Sequence, residues 1–158
     1  MEYSFASYQI AEMAVEIEKE SFKFYQRLAG LSKDKAVKGL FLSLAQDERT
    51  HEATFAGIAR DAKSTQEVYG YSINIAEMMK FGINKIKEAL VNSASVDEEI
   101  DMHQVLEIAI NNEALAVRVY TEIAHAYLKR FSDVFEKIII QENLHLKKLK
   151  DLKQELGI

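Results

Sequence analysis

Glu48-Arg49-Thr50-His51 and Glu142-Asn143-Leu144-His145 decide how this chain reads. Each is a Glu-x-x-His. On a helix, residues three apart share one face, one turn apart. A carboxylate and an imidazole at that spacing can point at one metal ion. Both copies lie in stretches with the apolar periodicity of long amphipathic helices. About thirty residues upstream of each, a single acid interrupts an apolar helical face: Glu18 before the first copy, Glu113 before the second. Two Glu-x-x-His motifs, with one further Glu from each of two other helices, are the ligand set of a two-metal centre in a four-helix bundle.

The helix before the first motif is expected over about residues 7–31. Ile10, Ala14, Ile17, Phe24, Leu28 and Leu31 make one apolar stripe, and Ala11, Val15, Phe22, Tyr25 and Ala29 make another beside it. Glu18 lies in line with the second stripe. Glu12, Glu16, Lys19, Glu20, Lys23 and Arg27 are expected mostly on the solvated side. Gly30 and Ser32-Lys33-Asp34-Lys35 predict a turn. The motif helix follows over about 34–62, with Leu40, Phe41, Leu44, Ala45, Phe55 and Ile58 on its core face. So short a connection makes the pair an antiparallel hairpin. Glu18 and the Glu48/His51 pair are equally far from about residue 34, within that turn. Equal helical rise on both arms then puts them at one height.

The second hairpin reads the same way. Its first helix is expected over about 99–129, with Val105, Leu106, Ala109, Ile110, Ala116, Val117, Tyr120, Ile123, Ala124 and Tyr127 apolar and Glu113 among them. Its second helix is expected over about 133–156 behind Ser132 as N-cap, with Phe135, Ile138, Ile139, Leu149 and Leu152 inward. Glu113 and the Glu142/His145 pair are symmetric about residue 128 or so, near the predicted turn. Between the hairpins, Ser64-Thr65-Gln66 and Tyr69-Gly70-Tyr71 read as loop. A shorter crossover helix is expected over about 73–91, through Ile75, Met78, Met79, Ile83, Ile86 and Leu90. Gly82 weakens it by about 1 kcal/mol relative to Ala. Asn92-Ser93-Ala94-Ser95 ends it, and the acidic run Asp97-Glu98-Glu99 suits the first turn of the next helix.

The halves repeat each other. Ala14, Glu18, Tyr25 and Ala29 match Ala109, Glu113, Tyr120 and Ala124 at an offset of 95, and Phe41, Glu48 and His51 match Phe135, Glu142 and His145 at an offset of 94. This predicts an all-α chain forming a single domain over residues 1–158. Its architecture is an antiparallel four-helix bundle of two hairpins related by a pseudo-twofold axis.

Composition narrows the function. With 158 residues and 48% hydrophobic content, the chain can bury a core. A net charge of −5 argues against nucleic acid as partner. No apolar run is long enough for a membrane span, and the N-terminus lacks the pattern of an export signal. There is no cysteine, which excludes thiolate metal sites and disulfides and suits a reducing compartment such as the cytoplasm. There is no proline either, so nothing forces a break in the helices.

Burying four ionised carboxylates unpaired would cost several kcal/mol per ion. Two divalent cations neutralise them, and the two imidazoles then supply one nitrogen to each ion. Oxygen-rich sites with one nitrogen per metal suit iron or manganese, and zinc is also compatible. Tyr25 and Tyr120 each follow a candidate ligand Glu by two turns. They are core aromatics or hydroxyl donors to a site carboxylate. His103 and His125 lie outside both motifs and read as surface or interface residues. The Met78-Met79 pair reads as packing.

On Glu18-x6-Tyr25, Glu48-x-x-His51, Glu113-x6-Tyr120 and Glu142-x-x-His145, nearly the whole chain resembles the ferritin-like superfamily, and within it the rubrerythrin-type branch. The resemblance implies a ferritin-like bundle holding two iron ions. Glu18 and His51 would hold one metal and Glu113 and His145 the other, with Glu48 and Glu142 bridging. Asp47 would orient His145, with Gln141 a weaker counterpart. The four glutamates would act through the metals, with Tyr25 and Tyr120 behind them. The implied activity is reduction of hydrogen peroxide or dioxygen by electrons from an external donor protein. The alternatives are a ferroxidase that handles Fe(II), and a non-enzymatic, metal-stabilised helical module for binding a partner. The chain differs from full rubrerythrins in lacking a cysteine-ligated rubredoxin-like domain. It also has apolar Ile110 and Ala116 where they carry an extra Glu one turn from the third-helix ligand. With no fifth helix expected, a homodimer is the implied assembly rather than a 24-subunit cage.

Overall fold

The computed structural model describes residues 3–65, 68–71, 73–92, 101–126 and 129–158. Five helices carry the architecture among them: α1 (Ser7–Leu31), α2 (Lys35–Thr65), α3 (Ile73–Asn92), α4 (Met102–Ala126) and α5 (Ser132–Glu155). α1 packs along α2 and α4 along α5, while the crossover helix α3 packs against α1 and α4. The chain is a helical bundle. No described helix is long and apolar enough to cross a membrane.

Local chemistry sets the helix ends. Asp34 caps α2, its Oδ1 accepting from the backbone N–H of Ala36 at 2.8 Å and of Val37 at 2.9 Å. Asp101 does the same for α4 through the N–H of Gln104 at 3.2 Å. The predicted cap of α5 is not made. Phe131 occupies the N-cap place with no side-chain hydrogen bond. A single 3-10 turn, Lys129–Phe131, runs straight into α5, so Ser132 is already helical. At the other end of α5, Gly157 takes a φ of +70°. The Ile158 N–H then reaches back to the Lys153 carbonyl at 3.2 Å.

Two segments expected as loop are ordered. Ser64 and Thr65 form the last turn of α2, their hydroxyls bonding back to the carbonyls of Asp61 (2.7 Å) and Ala62 (3.0 Å). Tyr69-Gly70-Tyr71 belongs to a short strand, β2 (Val68–Tyr71), paired antiparallel with β1 (Tyr3–Ala6) in the register Tyr3↔Tyr71 to Ala6↔Val68. Gly82 is buried inside α3 for a steric reason. A Cβ there would lie 2.7 Å from Leu115 Cδ2 on α4, so the end of that leucine packs over the glycine. The acidic run Asp97-Glu98-Glu99, the break at Ser93-Ala94-Ser95, Gln66, Tyr127 and the side chains of Ile75 and Leu90 lie outside the described residues.

The core is two apolar clusters, not one. Ile10, Ile17, Phe55, Ile58, Tyr120, Ile123, Phe135 and Ile138 belong to the first. Phe24, Leu28, Phe41, Leu44, Leu106, Leu149 and Leu152 belong to the second. Along every long helix the chain passes from one cluster to the other, and the crossing falls at Glu18, Glu48/His51, Glu113 and Glu142/His145. These acids therefore occupy a polar layer between two apolar blocks. One further acid departs from expectation. Glu20 is buried instead of solvated, and it takes a salt bridge at 2.7 Å from the more exposed Lys23 one turn on.

Phe55 is fully buried, its ring centroid 4.9 Å from that of Tyr120 and 5.3 Å from that of Phe135. Phe55→Ala should cost about 3–5 kcal/mol in urea unfolding, whereas Leu42→Ala, at a half-exposed site, should stay within about 0.5 kcal/mol.

Candidate metal centre

The structure brings all six predicted donors together. α1 contributes Glu18, α2 Glu48 and His51, α4 Glu113, and α5 Glu142 and His145. All six are between 1% and 4% exposed, far below what an ionisable side chain tolerates unpaired. They form two donor sets, Glu18/Glu48/His51/Glu142 and Glu48/Glu113/Glu142/His145, with the donor atoms of each set within 4.8 Å of one another. Glu48 and Glu142 belong to both. His51 Nδ1 lies 2.8 Å from Glu142, 3.6 Å from Glu18 and 3.8 Å from Glu48. His145 Nδ1 lies 3.1 Å from both Glu48 and Glu142 and 3.8 Å from Glu113. The two imidazoles stack with centroids 5.8 Å apart.

These atoms converge but satisfy one another only in part: His145 Nδ1 hydrogen-bonds Glu142 Oε2 at 3.1 Å, and four other atoms are left over. Glu18 Oε2, Glu48 Oε1, His51 Nδ1 and Glu142 Oε1 are buried and have no hydrogen-bond partner. His51 Nδ1 and Glu142 Oε1 are thus in contact yet not aligned as donor and acceptor. Each such orphan costs about 1–3 kcal/mol in a purely polar core. Unpartnered buried oxygens, four carboxylates and two imidazole nitrogens in two close sets fit a pair of divalent cations, and the charges balance. The donor set is that of a di-metal site.

The outer hydrogen bonds cross between the hairpins. Tyr25 Oη donates to Glu113, and Tyr120 Oη donates to Glu18. Neither tyrosine bonds the glutamate seven residues before it on its own helix. His51 Nε2 donates to Gln141 Oε1 at 2.8 Å, and His145 Nε2 donates to Asp47 Oδ2 at 3.1 Å. These bonds fix a proton on Nε2, so that Nδ1, on giving up its own proton, is the nitrogen each ring would offer a metal. His103 and His125 are exposed, and His125 Nδ1 lies 2.8 Å from the Thr121 carbonyl. Met79 is fully buried in packing. No seventh acid joins from one turn either side of Glu113, where Ile110 is half-buried and Ala116 buried.

Without cations the layer has to hold protons. Burial, and then the charge of Glu142, push Glu113 up to about 8. Burial and the charges of Glu142, Glu18 and Glu113 push Glu48 well above the carboxylate range. Burial alone would disfavour charge on the imidazoles, but their hydrogen bonds to the surrounding carboxylates outweigh it. His145 is held up at about 12 by Glu113, Glu142 and Glu48, and His51 is raised by Glu142, Glu18 and Glu48. Burial works against the Glu142 carboxylate too, but His145 and His51 overcome it and hold Glu142 down to about 2. Burial, reinforced by Glu113 and Glu18 respectively, raises Tyr25 and Tyr120, so both stay neutral donors.

The signs predict a pH profile for the metal-free protein. Glu113, raised from 4.5, contributes stability below pH 4.5 that is lost as pH rises through about 8. His145, raised from 6.5, contributes stability below pH 6.5 that is lost towards about 12. Glu142, lowered from 4.5, acts oppositely, but only between pH 4.5 and about 2. The thermal midpoint in chelator should therefore fall between pH 5 and 8, as calorimetry can follow. Divalent metal should remove that fall by displacing the protons. A flat profile in chelator would contradict the crowding of acids described above.

Comparison with known proteins gives the family and the fold. The family model for rubrerythrin matches residues 9–153, almost the whole chain and every residue of both donor sets. A solved structure from Thermotoga maritima, described as a ferritin-like diiron-carboxylate protein, superposes with a TM-score of 0.73. That match covers 98% of this chain and 99% of the other at 22% identity, which establishes a shared ferritin-like fold. No curated protein matches. A ferritin-like bundle with paired Glu-x-x-His motifs facing one buried layer, and a family match over that whole length, place this chain in the rubrerythrin family.

Proposed function

We propose that this chain is a non-haem di-iron oxidoreductase that reduces hydrogen peroxide or dioxygen with electrons from a separate donor protein. One observation carries the reading: two buried donor sets share Glu48 and Glu142 and contain one imidazole each. Each ion would be held by four donor residues, and a carboxylate-rich site with one imidazole suits iron that reacts with a small oxidant. When bound, a pair of ferrous ions would supply two electrons, enough with two protons to take hydrogen peroxide to water or dioxygen to peroxide. The chain supplies the rest. Glu18 and Glu113 are held in place by the hydroxyls of Tyr120 and Tyr25. His51 and His145 are oriented by Gln141 and Asp47. The apolar clusters on either side keep bulk water from the layer. These 158 residues contain no cysteine, so a thiolate-bound electron relay must lie elsewhere.

A second reading, oxidation of Fe(II) as substrate, is favoured by one feature. Among the described residues the site has six donor residues and no seventh acid beside Glu113, where full rubrerythrins carry the extra Glu noted above.

Stopped-flow spectroscopy separates the two. Under the first reading, the diferrous protein is oxidised rapidly by one equivalent of peroxide. Added reductant then restores it for further cycles, with two irons retained per chain. Consumption of many Fe(II) per chain with mineral growth would favour the second reading and overturn the first. Glu48→Ala should reduce metal content from two ions per chain to one or none by elemental analysis. Two retained ions would remove the bridging role.

A further inference from the structure

The two metal positions have identical inner donors: two shared glutamates, one terminal glutamate and one histidine each. The tyrosines match as well, Tyr120 on Glu18 and Tyr25 on Glu113. The match fails one bond further out. His145 Nε2 meets the carboxylate of Asp47, whereas His51 Nε2 meets the amide oxygen of Gln141. Asp47 and Gln141 are equivalent positions, each immediately before the glutamate of its motif. One can carry a full negative charge and the other cannot.

This difference acts directly on the ligands. A carboxylate accepts the Nε2–H more strongly than an amide oxygen does, which makes Nδ1 of the same ring the better electron donor. It also adds one negative charge beside one cation only. Asp47 is partly exposed, with 34% of its side-chain surface accessible, so solvent screens its long-range field. The direct bond to His145, at 3.1 Å, does not depend on that field. Repulsion between the two ions lowers the second affinity whichever position fills first. The order of filling, not the number of binding steps, therefore reports the asymmetry.

Resting on the two-metal reading above, we propose that Asp47 and Gln141 make the two positions unequal. The position of Glu113 and His145 fills first and holds its ion more tightly than the position of Glu18 and His51. Asp47 and Gln141 are positioning residues and touch no metal. Replacing such outer partners typically changes metal affinity about 10- to 100-fold, which sets the preference expected.

The test titrates cobalt(II) into the metal-free protein with 15N-labelled histidine and follows the paramagnetically shifted ring N–H signals. At one equivalent, the His145 signal should exceed the shifted His51 signal by about tenfold or more; at two equivalents both should be complete. Exchanging the partners in Asp47→Gln/Gln141→Asp should invert the order, which a merely structural role would not do. Gln141→Asp alone keeps Asp47 and should bring the two signals towards equal growth, so the test survives if the double variant folds poorly. Equal growth in the unaltered protein, or the same order after the exchange, overturns the inference while leaving the two-metal reading intact. No shifted histidine at two equivalents removes that reading and the inference with it.

Discussion

Four carboxylates in a dry layer between two apolar blocks are the constraint on which this molecule depends. Glu18, Glu48, Glu113 and Glu142 cannot all be ionised there without compensation, because a buried charge gains back its lost hydration only from a close partner. Two imidazoles and a set of shared protons offer partial relief, and the crowding moves Glu48, Glu113 and His145 well away from their ordinary values. A pair of divalent cations offers complete relief, since it matches both the charge and the unpaired lone pairs. The rest of the bundle is arranged around that requirement. Apolar clusters above and below exclude water, and four helices each bring donors to one height.

The same polar layer also joins the hairpins. Tyr25 to Glu113, Tyr120 to Glu18, His51 to Gln141 and His145 to Asp47 all run from the α1/α2 hairpin to the α4/α5 hairpin. Each bond orients a candidate ligand and also ties one half of the molecule to the other. Site geometry and bundle geometry are therefore one problem. The aromatic cluster of Phe55, Tyr120 and Phe135 backs this arrangement, because the ring it packs belongs to a tyrosine that holds Glu18. The imidazoles reach outward from the buried layer, with Nδ1 on the acids and Nε2 on the partly exposed Asp47 and the exposed Gln141. What lies on the rim of the bundle is thus one hydrogen bond from the ligands.

Membership of the rubrerythrin family and a ferritin-like fold set the chemical range, and the details of this chain select within it. Ile110 and Ala116 stop the donor set at six residues. With no cysteine, these residues hold no thiolate metal site beside the buried layer. The substitution of an amide for a carboxylate between Gln141 and Asp47 breaks a symmetry that the inner donors keep.

Helical periodicity ties side chains on one helix to one another, so the sequence alone determined the six candidate donors, their grouping on four helices and their common height. Spacing within a helix says nothing about which groups meet across the bundle. That Tyr25 bonds Glu113 and not Glu18 was decided only by tertiary packing, as were the burial of Glu20 and the pairing of β1 with β2. Asp34 capping α2 while Ser132 caps nothing belongs to the same class, because a cap depends on the path by which the chain enters the helix. The packing of Leu115 over Gly82 does as well. Periodicity is a local property of a repeating backbone, whereas partnership is settled by where two separately built surfaces come to rest.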